Sequence, residues 1–221
     1  MLPGPFEIWE AIQRLTENGE ILRHLRASLA RAGAGLFTGG IAGCLLGLVT
    51  GLSTLGNRLI DPLIQAIRTI PPLALLSLFI LWFGVGEAPK VALIALGAAF
   101  PLYINTVGGI RAVDTRLLEA AKTYGVKPRR RIISIVLPQT LPSIFSGIRL
   151  AASISIMLLV AAEQVSTAGL GFLLLQGQSY FDTAQVIVVL LVYALLGMLV
   201  DLLVRFAERL ALPWTGRETR R

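Results

Sequence analysis

The chain has 221 residues, 55% of them hydrophobic and 15% charged, with a formal net charge of +7. Soluble domains carry about 25% charged residues, and here the charge is also confined to a few segments. No Asp, Glu, Lys or Arg occurs in 32–57, 69–86, 91–110 or 183–200, which excludes an ordinary soluble domain.

Residues 1–31 form a polar or interfacial segment with four Arg and four Glu. They lack the apolar core of a cleavable signal peptide. Residues 32–221 form the transmembrane domain. An uncharged apolar run of 18 or more residues is long enough to cross a hydrocarbon core of about 30 Å as a helix. In the first span, glycine recurs at 35, 39, 43, 47 and 51, on one helical face. That spacing permits close backbone approach of another helix, and ordinary packing inside the chain is the preferred reading. Cys44 is the single cysteine, so no intrachain disulfide forms.

The second hydrophobic region carries Pro71-Pro72, which ends any helix arriving from Asp61. Residues 62–69 then read as a short separate helix or half-span, and 73–83 continue across. Trp82 and Phe83 suit an interface near the outer end. In the third span, Pro101 predicts a kink. Asn105, and Tyr103 near it, are candidates for a pathway lining or an interhelical hydrogen bond.

Residues 111–131 hold seven Lys/Arg against two Asp/Glu. Asp114 is placed to cap a helix over 115–124. Gly125 fits the left-handed position that closes helices, and Pro128 stops continuation and starts a second helix. Leu117, Leu118, Ala121 and Tyr124 form the apolar stripe of the first helix. Pro138 and Pro142 are read as breaking the next stretch, with a fourth span over 141–163 and Arg149 in its third turn. Arg149 either snorkels or faces protein. Glu163 is either a gate or ion-pair partner, or a headgroup-level carboxylate.

Charge bias places the 111–131 loop and the C-terminal tail in the cytoplasm and 164–182 outside. Counting back leaves Arg14, Arg23, Arg26 and Arg31 on the wrong side. Two readings address this: an interfacial amphipathic helix, or a first span upstream of Met1. The positive charge is thus a membrane-orientation signal, and no nucleic acid is expected. His24 is the only histidine. No catalytic constellation, metal cluster or phosphate-cradling loop is present, so the chain is not expected to be an enzyme.

One stretch carries a resemblance. Glu119-Ala120-Ala121, three residues, Gly125, nine residues, Ile135, one residue, Leu137-Pro138 resembles the EAA loop of binding-protein-dependent ABC importer permeases. "FPLYINTVGGIR", "AGLGFLL" and "FDTAQVIVVLLVYALLGMLVDLL" resemble the permeases for aliphatic sulfonates, taurine, nitrate and thiamine-pyrimidine precursors, the sulfonate branch most of all. The resemblance implies an all-α polytopic bundle of the type I importer permease fold, with about five spans here where the family usually has six. It implies a homodimer in the bacterial inner membrane with the C-terminus cytoplasmic, two ABC ATPase subunits that hold ATP and Mg, and an extracytoplasmic solute-binding protein. Within the loop 111–138, the residues that face the ATPase are then Glu119, Ala120, Ala121, Tyr124, Gly125, Ile135, Leu137 and Pro138. Tyr103, Asn105, Arg149 and Glu163 are the pathway or gate candidates. The expected cargo is a small organosulfur anion. The alternatives are taurine, nitrate or bicarbonate, a thiamine-pyrimidine precursor, or a non-transporting scaffold.

Overall fold

The computed structural model describes residues 3–213. Residues 214–221, and with them the last charges of the C-terminal tail, lie outside the described residues. The fold is all-α. Helix α1 covers Pro5–Glu17, α2 Glu20–Leu52, α3 Thr54–Arg68, α4 Pro72–Phe83 and α5 Ala88–Arg111. They are followed by α6, Thr115–Thr123, and α7, Pro128–Arg131, which runs through a π segment, Ile132–Val136, into α8, Leu137–Gln164. Helix α9 is Leu170–Ser179, and α10 is Thr183–Ala211.

Named contacts fix the direction of each helix. Gly35, midway along α2, meets Ile94, and Gly51, near its C-terminal end, meets Ile110, so α2 and α5 run parallel. Gly109 meets Ser143 and Gly97 meets Leu158, so α8 returns antiparallel to α5. Tyr193 reaches Glu163 and Glu208 reaches Arg149, so α10 runs back beside α8. The bundle therefore has a Glu163 end and a loop end, the latter holding α6.

Because α2 ends at the loop end and α5 begins at the Glu163 end, α3 and α4 together carry the chain across. They do so as a broken span bent by 99°. Helix α4 has 12 residues, about 18 Å at 1.5 Å per residue, too short to cross alone. Pro71 sets the break, since a residue before proline avoids the helical region. Among the described residues, four helices are long and apolar enough to cross, and counting the bent pair as one span gives five.

The α2–α5 interface is the tightest in the bundle. At Gly43 an added Cβ would fall on the Ala99 backbone, and at Gly47 it would lie 2.7 Å from Thr106 Cβ. The glycine face therefore packs within the chain. Away from these seams, large apolar side chains such as Phe37, Leu195, Met198 and Phe206 stand exposed, as a bilayer rather than water permits.

Three sequence expectations change. The first span begins at Glu20, not near 32, so the 31/32 boundary lies inside α2. His24, Ser28 and Arg31 continue the same buried stripe as Gly35, Gly39, Gly43 and Gly47. Pro138 and Pro142 do not break the fourth span, and Pro128–Gln164 is one helical run of 37 residues. The π segment sits immediately before Pro138, where proline's missing donor already disturbs the ladder. The half-span read at 62–69 is longer than expected, because α3 starts at Thr54 and contains Pro62. Helix α1 is amphipathic. Its Ala11 and Leu15 pack against Val188 of α10, and Arg14 pairs with Asp182 at 2.6 Å.

Candidate functional site

Chemistry-bearing groups gather at both ends of the bundle. At the loop end, Asp114 begins α6, its carboxylate accepting from Arg116 N–H at 2.9 Å. The helix closes with two reciprocal bonds. Gly125 N–H donates to Lys122 O and Val126 N–H to Ala121 O, both at 3.0 Å, with Gly125 at φ +74°. This is a Schellman closure, and it satisfies carbonyls that a helix end otherwise leaves open. Nothing lies within 4 Å of where a Gly125 Cβ would sit, so glycine is needed there for its backbone alone.

Helix α6 buries none of its residues. Glu119 and Ala120 are exposed and Ala121 half-buried. Tyr124 is 87% exposed and Leu117 43%. A rigid, doubly capped helix with an uncovered apolar stripe stands ready for a partner, since the bundle itself does not use that stripe. The remaining loop candidates lie elsewhere. Ile135 is in the π segment, and Leu137 and Pro138 open α8, all half-buried.

At the opposite end, Glu163 is fully buried. Its carboxylate accepts from Arg31 Nη1 at 2.8 Å, Gly171 N–H at 2.9 Å and the Tyr193 hydroxyl at 3.2 Å. The Ser28 hydroxyl lies 2.7 and 2.8 Å from its two oxygens, and accepts in turn from Leu170 N–H at 2.9 Å. His24 Nδ1 accepts from Gly169 N–H at 2.8 Å, which requires the ring proton on Nε2. Side chains of α2 and α8 thus satisfy the free N–H groups at the start of α9. A buried carboxylate is tolerable only when paired and hydrogen-bonded in this way.

Arg31 also donates to Glu87, whose second partner is Lys90 at 3.1 Å. Lys90 Nζ continues to the Ser166 hydroxyl at 2.8 Å. Two cations and two carboxylates balance, and they join α2, the α4–α5 turn, α5, α8 and the segment before α9. The Arg31 guanidinium, with Lys90, holds the Glu87 carboxyl down at about 2, well below the usual carboxylate range.

The four pathway candidates do not converge. Tyr103 is buried in α5 and donates to Asp61 of α3 at 2.7 Å. It lines an apolar cleft of about 450 Å³ shared with Gly39, Gly43, Ile64, Phe79 and Ala99. Asn105 is half-buried, and its amide is spent on Pro101 O of its own helix at 2.8 Å. Arg149 pairs with Glu208 and, at 3.6 Å, with Asp201 of α10. Glu163 sits at the far end of α8 from Arg149. It is fully buried and paired with Arg31. The sequence reading missed its partners Ser28, Arg31 and Tyr193, and Glu87 and Lys90, which extend the cluster through Arg31. The signal present was the spacing of 24, 28, 31 and 35, which puts polar residues on the glycine face.

Comparison with known proteins assigns this architecture. Residues 39–211 match the family model for the binding-protein-dependent transport system inner membrane component. Two relatives are putative aliphatic sulfonates transport permease proteins. That of Escherichia coli K12 is 43% identical over 97% of this chain and 82% of its own length. That of Bacillus subtilis 168 is 40% identical over 97% of this chain and 78% of its own length. Among solved structures, the inward-facing MetNI methionine ABC transporter superposes with a TM-score of 0.72. It is 21% identical, with 89% of this chain and 98% of that chain covered, which shows a shared importer-permease fold. With most of its length inside the family model and its helices in that arrangement, the chain belongs to the inner membrane component family of binding-protein-dependent transport systems.

Proposed function

We propose that this chain forms the translocation path of an ATP-driven importer for a small organosulfur anion such as an aliphatic sulfonate. It acts as a homodimer. Two ATPase subunits bind ATP and Mg on the cytoplasmic side, where the C-terminus also lies, and a solute-binding protein delivers cargo from outside. The chain itself makes and breaks no covalent bond. The observation that carries this reading is α6, a short helix closed at both ends and left uncovered by its own bundle. Such a helix transmits force because its caps hold it rigid while its exposed stripe binds a partner. The sulfonate assignment is supported by the names of the relatives at 40–43% identity.

The reading is tested by reconstituting the chain with its ATPase and binding protein in lipid vesicles. A short alkanesulfonate is expected to stimulate ATP hydrolysis and to accumulate inside. Stimulation by nitrate or a pyrimidine but not by sulfonates overturns the cargo. An ATPase that binds the chain yet responds to no solute overturns import and favours a scaffold.

A further inference from the structure

Residues 127–131 read Lys-Pro-Arg-Arg-Arg, four cations within five residues. Lys127, Arg129 and Arg130 are exposed, and Arg131 is half-buried. Among the described residues, none of the four makes an ion pair with an acid of this chain. Of the thirteen other Lys and Arg among the described residues, six do pair. Arg14, Arg31, Lys90, Arg111, Arg149 and Arg205 each meet a carboxylate. The Arg131 Nε is moreover buried without any hydrogen-bond partner.

What lies next along the helix indicates the kind of partner. Arg131 is followed at once by the Ile132–Val136 segment. Ile133 is 55% exposed and Ser134 is exposed. Ile133 stands three and four residues after Arg130 and Arg129, hence on their face of the helix. Exposed arginines directly above an exposed isoleucine, on a run that goes on to cross the bilayer, put the guanidinium groups at headgroup depth and the isoleucine in the acyl region. A protein surface that satisfied the charges and covered Ile133 is the competing occupant, and the test below separates the two.

We propose that residues 127–131 bind the phosphate headgroups of acidic phospholipids, so that the turn between α6 and the fourth span is held at the membrane face by specific lipid. Because Val126 N–H closes α6 and Pro128 follows two residues later, lipid bound here also fixes the height at which α6 stands. The proposal does not depend on the transported cargo.

The test uses the full chain in phosphatidylcholine nanodiscs doped with phosphatidylglycerol, with lipid retained after detergent extraction counted by native mass spectrometry. Wild type is expected to retain phosphatidylglycerol over phosphatidylcholine, with affinity falling about fivefold for each charge removed in Arg129→Gln and Arg130→Gln. The double variant R129K/R130K should restore retention, since charge rather than fork geometry carries the contact. Arg209→Gln, equally exposed but away from the turn, should retain lipid as wild type does. Equal retention of the two lipids by wild type overturns the proposal. So does unchanged phosphatidylglycerol retention in R129Q/R130Q. A third overturning result is R129Q/R130Q losing ATPase association equally in discs with and without phosphatidylglycerol, which assigns the turn to a protein partner.

Discussion

Arg31 Nη1 lies 2.8 Å from Glu163 Oε1, with 6% and 0% of the two side chains exposed. The two residues stand 132 positions apart, on the first and fourth spans, and their pairing closes the Glu163 end of the bundle. Removing Arg31 strands Glu163 where water cannot reach it, whereas removing Glu163 leaves Arg31 paired with Glu87. Arg31→Ala is expected to cost about 3–5 kcal/mol, and Glu163→Ala less. The R31M/E163M double replacement should recover part of that loss, because no unpaired charge remains. Thermal unfolding in detergent measures both. Single variants that match wild type would show the pair to be incidental.

Glu87 belongs to the same cluster but sits in the turn before α5, with a 61% exposed side chain. Its folded-state pKa, about 2 against 4.5 when unperturbed, is depressed mainly by the hydrogen bonds from Arg31. A depressed carboxylate stabilises above its unfolded value, and that contribution drains away as pH falls through the folded one. The protein should therefore lose stability progressively between about pH 4.5 and about pH 2 through this group. Glu87→Gln should be less stable than wild type near neutrality and show a shallower decline across that window. A melting-temperature series against pH on both proteins reads the difference. Parallel curves would remove Glu87 from the account.

Much of the fold is legible in the sequence because bilayer physics is restrictive. Charge-free runs long enough to cross must be helical, and the punctuation at Asp114, Gly125 and Pro128 gives both ends of α6 by cap chemistry alone. What was not legible depends on partners distant in the chain. Arg31 reads as a surface charge until Glu163 and Glu87 are brought beside it. Glu163 reads as an isolated carboxylate until α2, α9 and α10 pack around it. Pro138 reads as a breaker until the π segment absorbs its missing donor. Local rules describe a residue's preference, and a buried pair across 132 positions is decided by tertiary packing.

Gly43 and Gly33 separate packing from propensity. Both lie within α2, but a Cβ at Gly43 collides with the Ala99 backbone, whereas at Gly33 nothing lies within 4 Å. Gly43→Ala should destabilise by about 1–3 kcal/mol as α2 and α5 are forced apart. Gly33→Ala should be neutral or stabilising by about 0.5–1 kcal/mol, the helix preference of alanine over glycine. Equal effects at the two sites would mean that the close approach of α2 and α5 is not maintained in the membrane.

Gly125 tests whether α6 must be closed in order to work. Its φ of +74° costs a residue with a Cβ about 1–2 kcal/mol, and no neighbour lies within 4 Å to add a steric term. Gly125→Leu should therefore insert and unfold much like wild type, because the strain is confined to the end of an exposed helix. The Schellman bonds from Gly125 and Val126 should weaken, and α6 should fray toward Tyr124. In the reconstituted transporter the expected result is near-normal basal ATP hydrolysis with loss of the stimulation that cargo-loaded binding protein produces. Gly125→Asn is the informative control, since asparagine enters the left-handed region more readily than other residues bearing a Cβ. It should retain more stimulation than Leu, although it is the more polar change. If Leu and Asn behave alike, or if Leu couples normally, α6 transmits force without a fixed C-terminus and the role given to Gly125 is wrong.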